Sequence, residues 1–382
     1  MRRTTLALIA AIAAGCAPGP DTSLTDPTER LDRYVDTLTS EYPGLRYGVV
    51  DAQGPIYGRS AGYRALNAGR PITDRTEMPG FSLSKLFTSL VVVQLAEQGQ
   101  VDLDAELRSY LDWLPYPGTV RHVLSHSAGL PDVIWGTFYI HFPETHSQLN
   151  RAALLREVVT ANEPRREPGE QAAYTNLAYA LLGALIEERT GLSYEDAVQQ
   201  RVFEPLGMAG ATFDPFAAAE LTDSHISRSP ISRGLMRVMI DGIAFERAGR
   251  WTTIQREYYF DLPAHGGVLL SGQALETFLV AVLARDARLL SQAGYAAWTE
   301  PQSIAAGEFA LGWHVGETAH GPYIGHDGGA MGVTASVRIY PELGIATFFQ
   351  SNVLDSMRVA RRDMDRLDAM AIEIARGSGS GR

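Results

Sequence analysis

In "FSLSKLFTSLVVV", Ser82 and Lys85 stand three residues apart, a spacing that on a helix puts both side chains on one face, a turn apart. A neutral amine there can take the hydroxyl proton as the serine attacks a carbonyl, and a helix N-terminus favours the negative charge that develops. The chain carries 33 basic residues, 32 Arg and one Lys. A bias towards arginine codons accounts for the 32. It does not account for the one, because a guanidinium stays protonated where an amine can be neutralised by burial. A position that keeps its Lys among so many Arg is one where a proton has to come off.

The elements that must position this pair can be read from periodicity. "LRYGVVDAQGPIYGRSAGYR", from Leu45 to Arg64, alternates around Gly-containing turns and predicts a strand pair. Leu86, Leu90 and Val93, with Phe87 and Val91, recur at helical spacing and predict a helix over 84–98 that Gly99 ends. "TNLAYALLGALIEERTG" predicts a second helix closed by Gly191, and "ALETFLVAVLARDARLL" a third. From Glu308 to Asn352 short β-type runs return, before an amphipathic helix near 355–376. Strands at both ends with helices between them imply an α/β chain: an antiparallel β-sheet flanked by helices, closed by the two chain halves, with a mainly helical subdomain inserted at about 101–264. No internal repeat or linker splits residues 31–382, which read as one domain.

Four segments, "FSLSKLFTSLVVVQLAEQGQVDLDAELRSYL", "VRHVLSHSAGLP", "PGEQAAYTNLAYALLGALIEERTGLSYEDAVQQRVFEPLGM" and "GHDGGAMGVTASVRIYPELGIATFFQSN", resemble the serine beta-lactamase-related family. That family includes class C beta-lactamases, low-molecular-weight penicillin-binding proteins such as D-alanyl-D-alanine carboxypeptidases, D-aminopeptidases and related esterases. The resemblance, from about residue 40 to 355, implies that Ser82 is the nucleophile and Lys85 its lysine, and that the Tyr-x-Asn motif falls on Tyr174 and Asn176. Tyr174 is then expected to relay a proton, its phenol ionising more readily beside the Lys85 ammonium, and Asn176 to hold that ammonium or a substrate amide. The third motif falls on His326-Asp327-Gly328, with His where many lactamases have Lys; the resemblance implies an oxyanion hole from the N–H groups of Ser82 and Gly329, with Gly328 and Gly329 letting the strand come close. Asp327 stands where a hydroxyl is common, and an acid there is expected to disfavour substrates with a carboxylate.

The expected activity is that of an exported serine hydrolase working through a Ser82 acyl-enzyme on an ester or amide, with no cofactor and no metal. The alternatives are a D-alanyl-D-alanine carboxypeptidase or beta-lactamase proper, and, in another class, a non-catalytic lipoprotein that binds cell-wall peptides. His122 and His126 are four apart, a spacing open to zinc, but no metalloprotease pattern accompanies them and they are expected in a structural loop. His265 is expected to pack, and the aromatic run 134–142 either to wall the pocket or to pack. No Gly-x-Ser-x-Gly elbow occurs.

A net charge of -11 and 45% hydrophobic residues fit a small-molecule or peptide substrate and exclude nucleic acid, which needs a basic stripe. "MRRTTLALIAAIAAGC" joins two Arg to an apolar run too short to span a membrane, and predicts a signal peptide over 1–15. Cys16, the only cysteine, then becomes a candidate lipidation site and membrane anchor, 16–30 a flexible tether, and the location periplasmic or cell-envelope.

Overall fold

The two strand-rich ends of the sequence meet in one antiparallel sheet. The computed structural model describes residues 19–132, 140–227, 234, 245–254, 257–302, 309–353 and 357–379. Strand Gly44–Asp51 lies between Gly54–Ala65 and Ile345–Ser351; Val333–Tyr340, Gly321–Ala330 and His314–Thr318 follow on one side, and the short Arg70–Pro71 closes the other. Val333–Tyr340 and Ile345–Ser351 are buried along their whole length, as their runs of Val, Ile and Phe require of a sheet covered on both faces.

Alternation assigns the faces. Tyr47, Val49, Tyr340 and Phe349 pack against the terminal helices Pro27–Leu38 and Met357–Gly379. Val50, Val337 and Phe348 face the opposite core, built around helices Ser84–Glu97, Asn176–Thr190 and Gly272–Leu283. Helix Ser84–Glu97 is buried on every side through Leu95, because it runs through the middle of that core. Gly99 and Gly191, both left-handed, follow the two helices they were expected to end.

Elsewhere the boundaries move. The third helix starts at Gly272, where the Ser271 side chain accepts the Ala274 N–H, and stops at Leu283 before a left-handed Arg285. The expected tether holds the start of a helix from Pro27, capped by Asp26. Among the described residues of the inserted region, Ser224–Ser227, Trp251–Ile254 and Phe245–Ala248 form a small sheet rather than helices, and Ile140–His141 pairs with Tyr259–Phe260. Cys16 and the expected signal peptide lie outside the described residues. Among the described residues no helix is long and apolar enough to cross a membrane, and no group of three His, Cys, Asp or Glu side chains is arranged to hold a metal ion.

Candidate active site

Ser82 occupies the turn between strand Met78–Phe81 and helix Ser84–Glu97, after a Phe81 held in the left-handed region at φ 45°. The strand ends there because the chain must reverse into the helix, and a non-glycine residue at positive φ is strain kept by its surroundings. Lys85 on the first helical turn is fully buried. Its Nζ lies 3.2 Å from Ser82 Oγ, 2.9 Å from Asn176 Oδ1 and 2.7 Å from the His265 carbonyl oxygen. Burial pushes the Lys85 amine well below its ordinary range, opposed only by the charge of Asp132.

The His265 carbonyl is delivered by close packing. Gly183 on helix Asn176–Thr190 faces the turn Pro263–His265, where a Cβ would lie 2.6 Å from that of Ala264. The turn is also stitched to helix Ser84–Glu97, with Thr88 Oγ1 donating to the Ala264 carbonyl and Ser84 Oγ accepting from the Val268 N–H. His265 therefore packs, as expected, while its backbone reaches the site.

Tyr174 donates its hydroxyl to Ser82 Oγ at 2.8 Å. Burial raises the phenol above its ordinary range, so the ionisation expected from a neighbouring ammonium is reversed: the tyrosine is held neutral and is a donor. Histidines line the ring on several sides, with His126 at 4.6 Å, His314 at 5.8 Å and His326 at 6.2 Å between ring centroids. All three are pushed down by burial, His314 to about 4, so they surround the phenol as neutral rings.

Loop 126–132 templates the Tyr-x-Asn segment. The N–H groups of Ala173, Thr175 and Asn176 go to the His126 carbonyl, His126 Nδ1 and Asp132 Oδ1, and Thr175 Oγ1 donates to the Pro131 carbonyl. His122 does not share a site with His126; it completes a capping box with Thr119. Of the aromatic run, 134–139 lies outside the described residues.

Strand Gly321–Ala330 brings His326, Gly328 and Gly329 alongside. Its outer neighbour His314–Thr318 pairs only as far as Gly325, so from His326 on that edge has no strand partner among the described residues. Gly328 lies against the Ser82 turn: a Cβ would meet the Gly80 carbonyl oxygen at 2.0 Å and the Ser82 nitrogen at 3.1 Å. Gly328→Ala is therefore expected to destabilise the fold by about 2 kcal/mol, the usual scale of overpacking, and to slow turnover by spreading strand and turn apart; a thermal melt beside a rate measurement checks both.

His326 and Asp327 point to opposite faces. His326 shares the Tyr174 side, its Nδ1 against the Asp327 carbonyl, while the Asp327 carboxylate takes Ser336 Oγ at 2.5 Å and Arg361 Nε at 2.6 Å. The expectation that Asp327 repels a substrate carboxylate is thereby revised, since its charge is paired with the C-terminal helix. Sequence reasoning missed His314 and Asp132. The signal for Asp132 was its place directly after "SAGLP"; His314 had none beyond its polarity between Trp313 and Val315.

A family model described as Beta-lactamase matches residues 31–371. The chain is 32% identical over 154 residues to Penicillin-binding protein 4* of Bacillus subtilis (strain 168), covering 40% of this chain and 34% of that protein. It is 28% identical over 194 residues to a D-aminopeptidase of Brucella anthropi, covering 49% and 36%, and 23% identical over 340 residues to Penicillin-binding protein 4 of Amycolatopsis lactamdurans, covering 83% of each. The chain thus spans about a third of the length of the Bacillus and Brucella relatives. The solved D-amino acid amidase from Ochrobactrum anthropi SV3 complexed with D-phenylalanine superposes with a TM-score of 0.77 at 20% identity, covering 91% of this chain and 99% of that one, a likeness of fold.

Proposed function

The chain belongs to the Beta-lactamase family, and from that premise we propose that it is a serine hydrolase in which Ser82 forms an acyl-enzyme with esters or amides of D-amino acids that carry no free carboxylate. The observation that carries the mechanism is the surroundings of Lys85 Nζ. Two of its three polar neighbours, Asn176 Oδ1 and the His265 carbonyl, are acceptors only, and they take both hydrogens of a neutral amine. The lone pair is left facing Ser82 Oγ, whose own acceptor side is filled by Tyr174.

Ser82 then gives its proton to Lys85 as Oγ bonds to the substrate carbonyl carbon. The oxyanion is met by the N–H groups of Ser82 and Gly329. Tyr174 gives its proton to the leaving oxygen or nitrogen as the carbonyl re-forms, and the proton that Lys85 took from Ser82 restores the Tyr174 hydroxyl. Water repeats the sequence on the acyl-enzyme, freeing the acid. His326, neutral, lines the leaving-group side.

A substrate without a carboxylate is supported by the histidine rings beside Tyr174, which burial holds neutral and which therefore bring no fixed cation to the serine. Similarity to proteins named D-aminopeptidase and D-amino acid amidase supports the D-amino-acid preference. The N-terminal "MRRTTLALIAAIAAGC" supports export with lipidation at Cys16.

The test is intact mass and turnover of the full chain with a fluorophosphonate, a p-nitrophenyl ester, D-phenylalanine amide and benzylpenicillin. A fluorophosphonate adduct mapping to Ser82, with turnover of the ester and the amide, is expected. Labelling at another residue, or none, overturns the nucleophile; turnover of the penicillin alone overturns the substrate class.

The pH profile carries its own expectation. Because Lys85 must be neutral and burial depresses it, kcat/KM should rise with pH along an acid limb well below the ordinary lysine range. Because burial raises Tyr174, no alkaline fall should come from the phenol at its ordinary pKa. A profile that climbs steadily towards the ordinary lysine pKa contradicts this.

A further inference from the structure

The direction of the Lys85 lone pair depends on which way the Asn176 amide is turned. With Oδ1 towards Lys85, the amine spends a hydrogen on it and keeps its lone pair for Ser82. Turned over, the amide would present Nδ2, a donor, and the same lone pair would accept from it instead. The base would then be engaged away from the nucleophile. Nothing in the shape of an amide decides between these orientations, so a neighbour must.

That neighbour is Asp132. Its Oδ1 accepts the Asn176 backbone N–H at 3.2 Å, and the Asn176 side-chain amide lies close enough to the same carboxylate to help hold it ionised. A carboxylate accepts and does not donate, so only Nδ2 can face it, and Oδ1 is left for Lys85. Resting on the serine-hydrolase reading above, we propose that Asp132 is a positioning residue that fixes the Asn176 amide so that the Lys85 lone pair faces Ser82.

The placement of Asp132 fits this role. It closes the loop 126–132 that binds the N–H groups of Ala173 and Thr175, so the loop that sets the backbone of Tyr174 and Asn176 also ends in the group that sets the asparagine amide. The groups around Lys85 are Ser82 and Tyr174, Asn176 and Tyr179 from helix Asn176–Thr190, and the histidines 126, 265, 314 and 326. The histidines are held neutral by burial, which leaves Asp132 as the anion that favours the lysine ammonium. Orientation and charge therefore come from one carboxylate, and its removal should leave two separable marks.

The experiment compares the full chain with its Asp132→Asn and Asp132→Ala variants, each checked for fold by circular dichroism, using a p-nitrophenyl ester and fluorophosphonate labelling. Asp132→Asn, which can offer either a donor or an acceptor, should lower kcat and the labelling rate by roughly 30-fold, a share of the 10²–10⁴ that a general base supplies, with KM for the ester little changed. Its acid limb should move to lower pH, because loss of the anion lets Lys85 shed its proton sooner. In Asp132→Ala, added formate, a small acceptor-only anion, should restore labelling several-fold.

A folded Asp132→Asn enzyme with wild-type kcat, or one that slows with its acid limb in place, overturns the proposal, as does a folded Asp132→Ala that formate leaves unchanged. If neither variant folds, Asp132 is a folding residue and the proposal falls. Failure of the underlying reading is recognised separately, by wild-type labelling that does not map to Ser82.

Discussion

Lys85→Arg is expected to lower kcat/KM roughly a thousandfold, within the range that a positioned general base contributes, although the formal charge of the chain is unchanged. The guanidinium cannot be deprotonated in a protein, so it has no lone pair to offer Ser82. It also brings five donors to a site with two acceptor-only oxygens and one hydroxyl, in a position that is completely buried. The charge would have to stay in that dry environment, whereas burial pushes the wild-type amine towards its neutral form. Some loss of stability should accompany the loss of rate, so the fluorophosphonate labelling rate is to be read per folded molecule. A folded Lys85→Arg enzyme that labels within tenfold of wild type would show that the amine never acts as a neutral base.

The sequence made the candidate reacting groups legible because they lie within short spacings. Ser82 and Lys85 share one helical turn, and Tyr174 and Asn176 straddle the start of another helix, so their motifs survive without knowledge of the fold. The sheet closed by the chain ends was legible for a related reason: strands of seven and eight residues such as Ile345–Ser351 and Gly44–Asp51 hold enough of an apolar pattern to be recognised. Two-residue strands such as Ala211–Thr212 hold no period at all, which is why the inserted region read as helical. Spacing also tells which groups come near one another but not how dry their surroundings are. Tyr174 was placed correctly beside Lys85 and assigned the opposite pKa direction, because burial outweighs the neighbouring amine, whose own charged form burial disfavours. Asp327 failed in another way, its partner Arg361 lying on the far face of the sheet in a helix that no motif links to the strand.

Ser82→Ala is expected to lower turnover by about 10⁴-fold or more while leaving the fold intact, because the nucleophile cannot be replaced by the groups that serve it. Ser82 Oγ is the atom at which Lys85 and Tyr174 meet: the first donates to or accepts from it at 3.2 Å, the second donates to it at 2.8 Å. Without that oxygen, Lys85 keeps its contacts to Asn176 and the His265 carbonyl, and only the Tyr174 hydroxyl loses its partner. The penalty on stability should therefore be small, since a water can fill the space beside a site open to solvent. Residues that act as one unit are not additive, so adding Lys85→Arg to Ser82→Ala should cost little further activity, whereas each alone is severe. The measurement is a cycle of the two single variants and the double, followed by ester turnover and by fluorophosphonate mass. Independent, multiplying losses would mean that lysine and serine do not share one proton, and the geometry at Nζ would then need a different chemical reading.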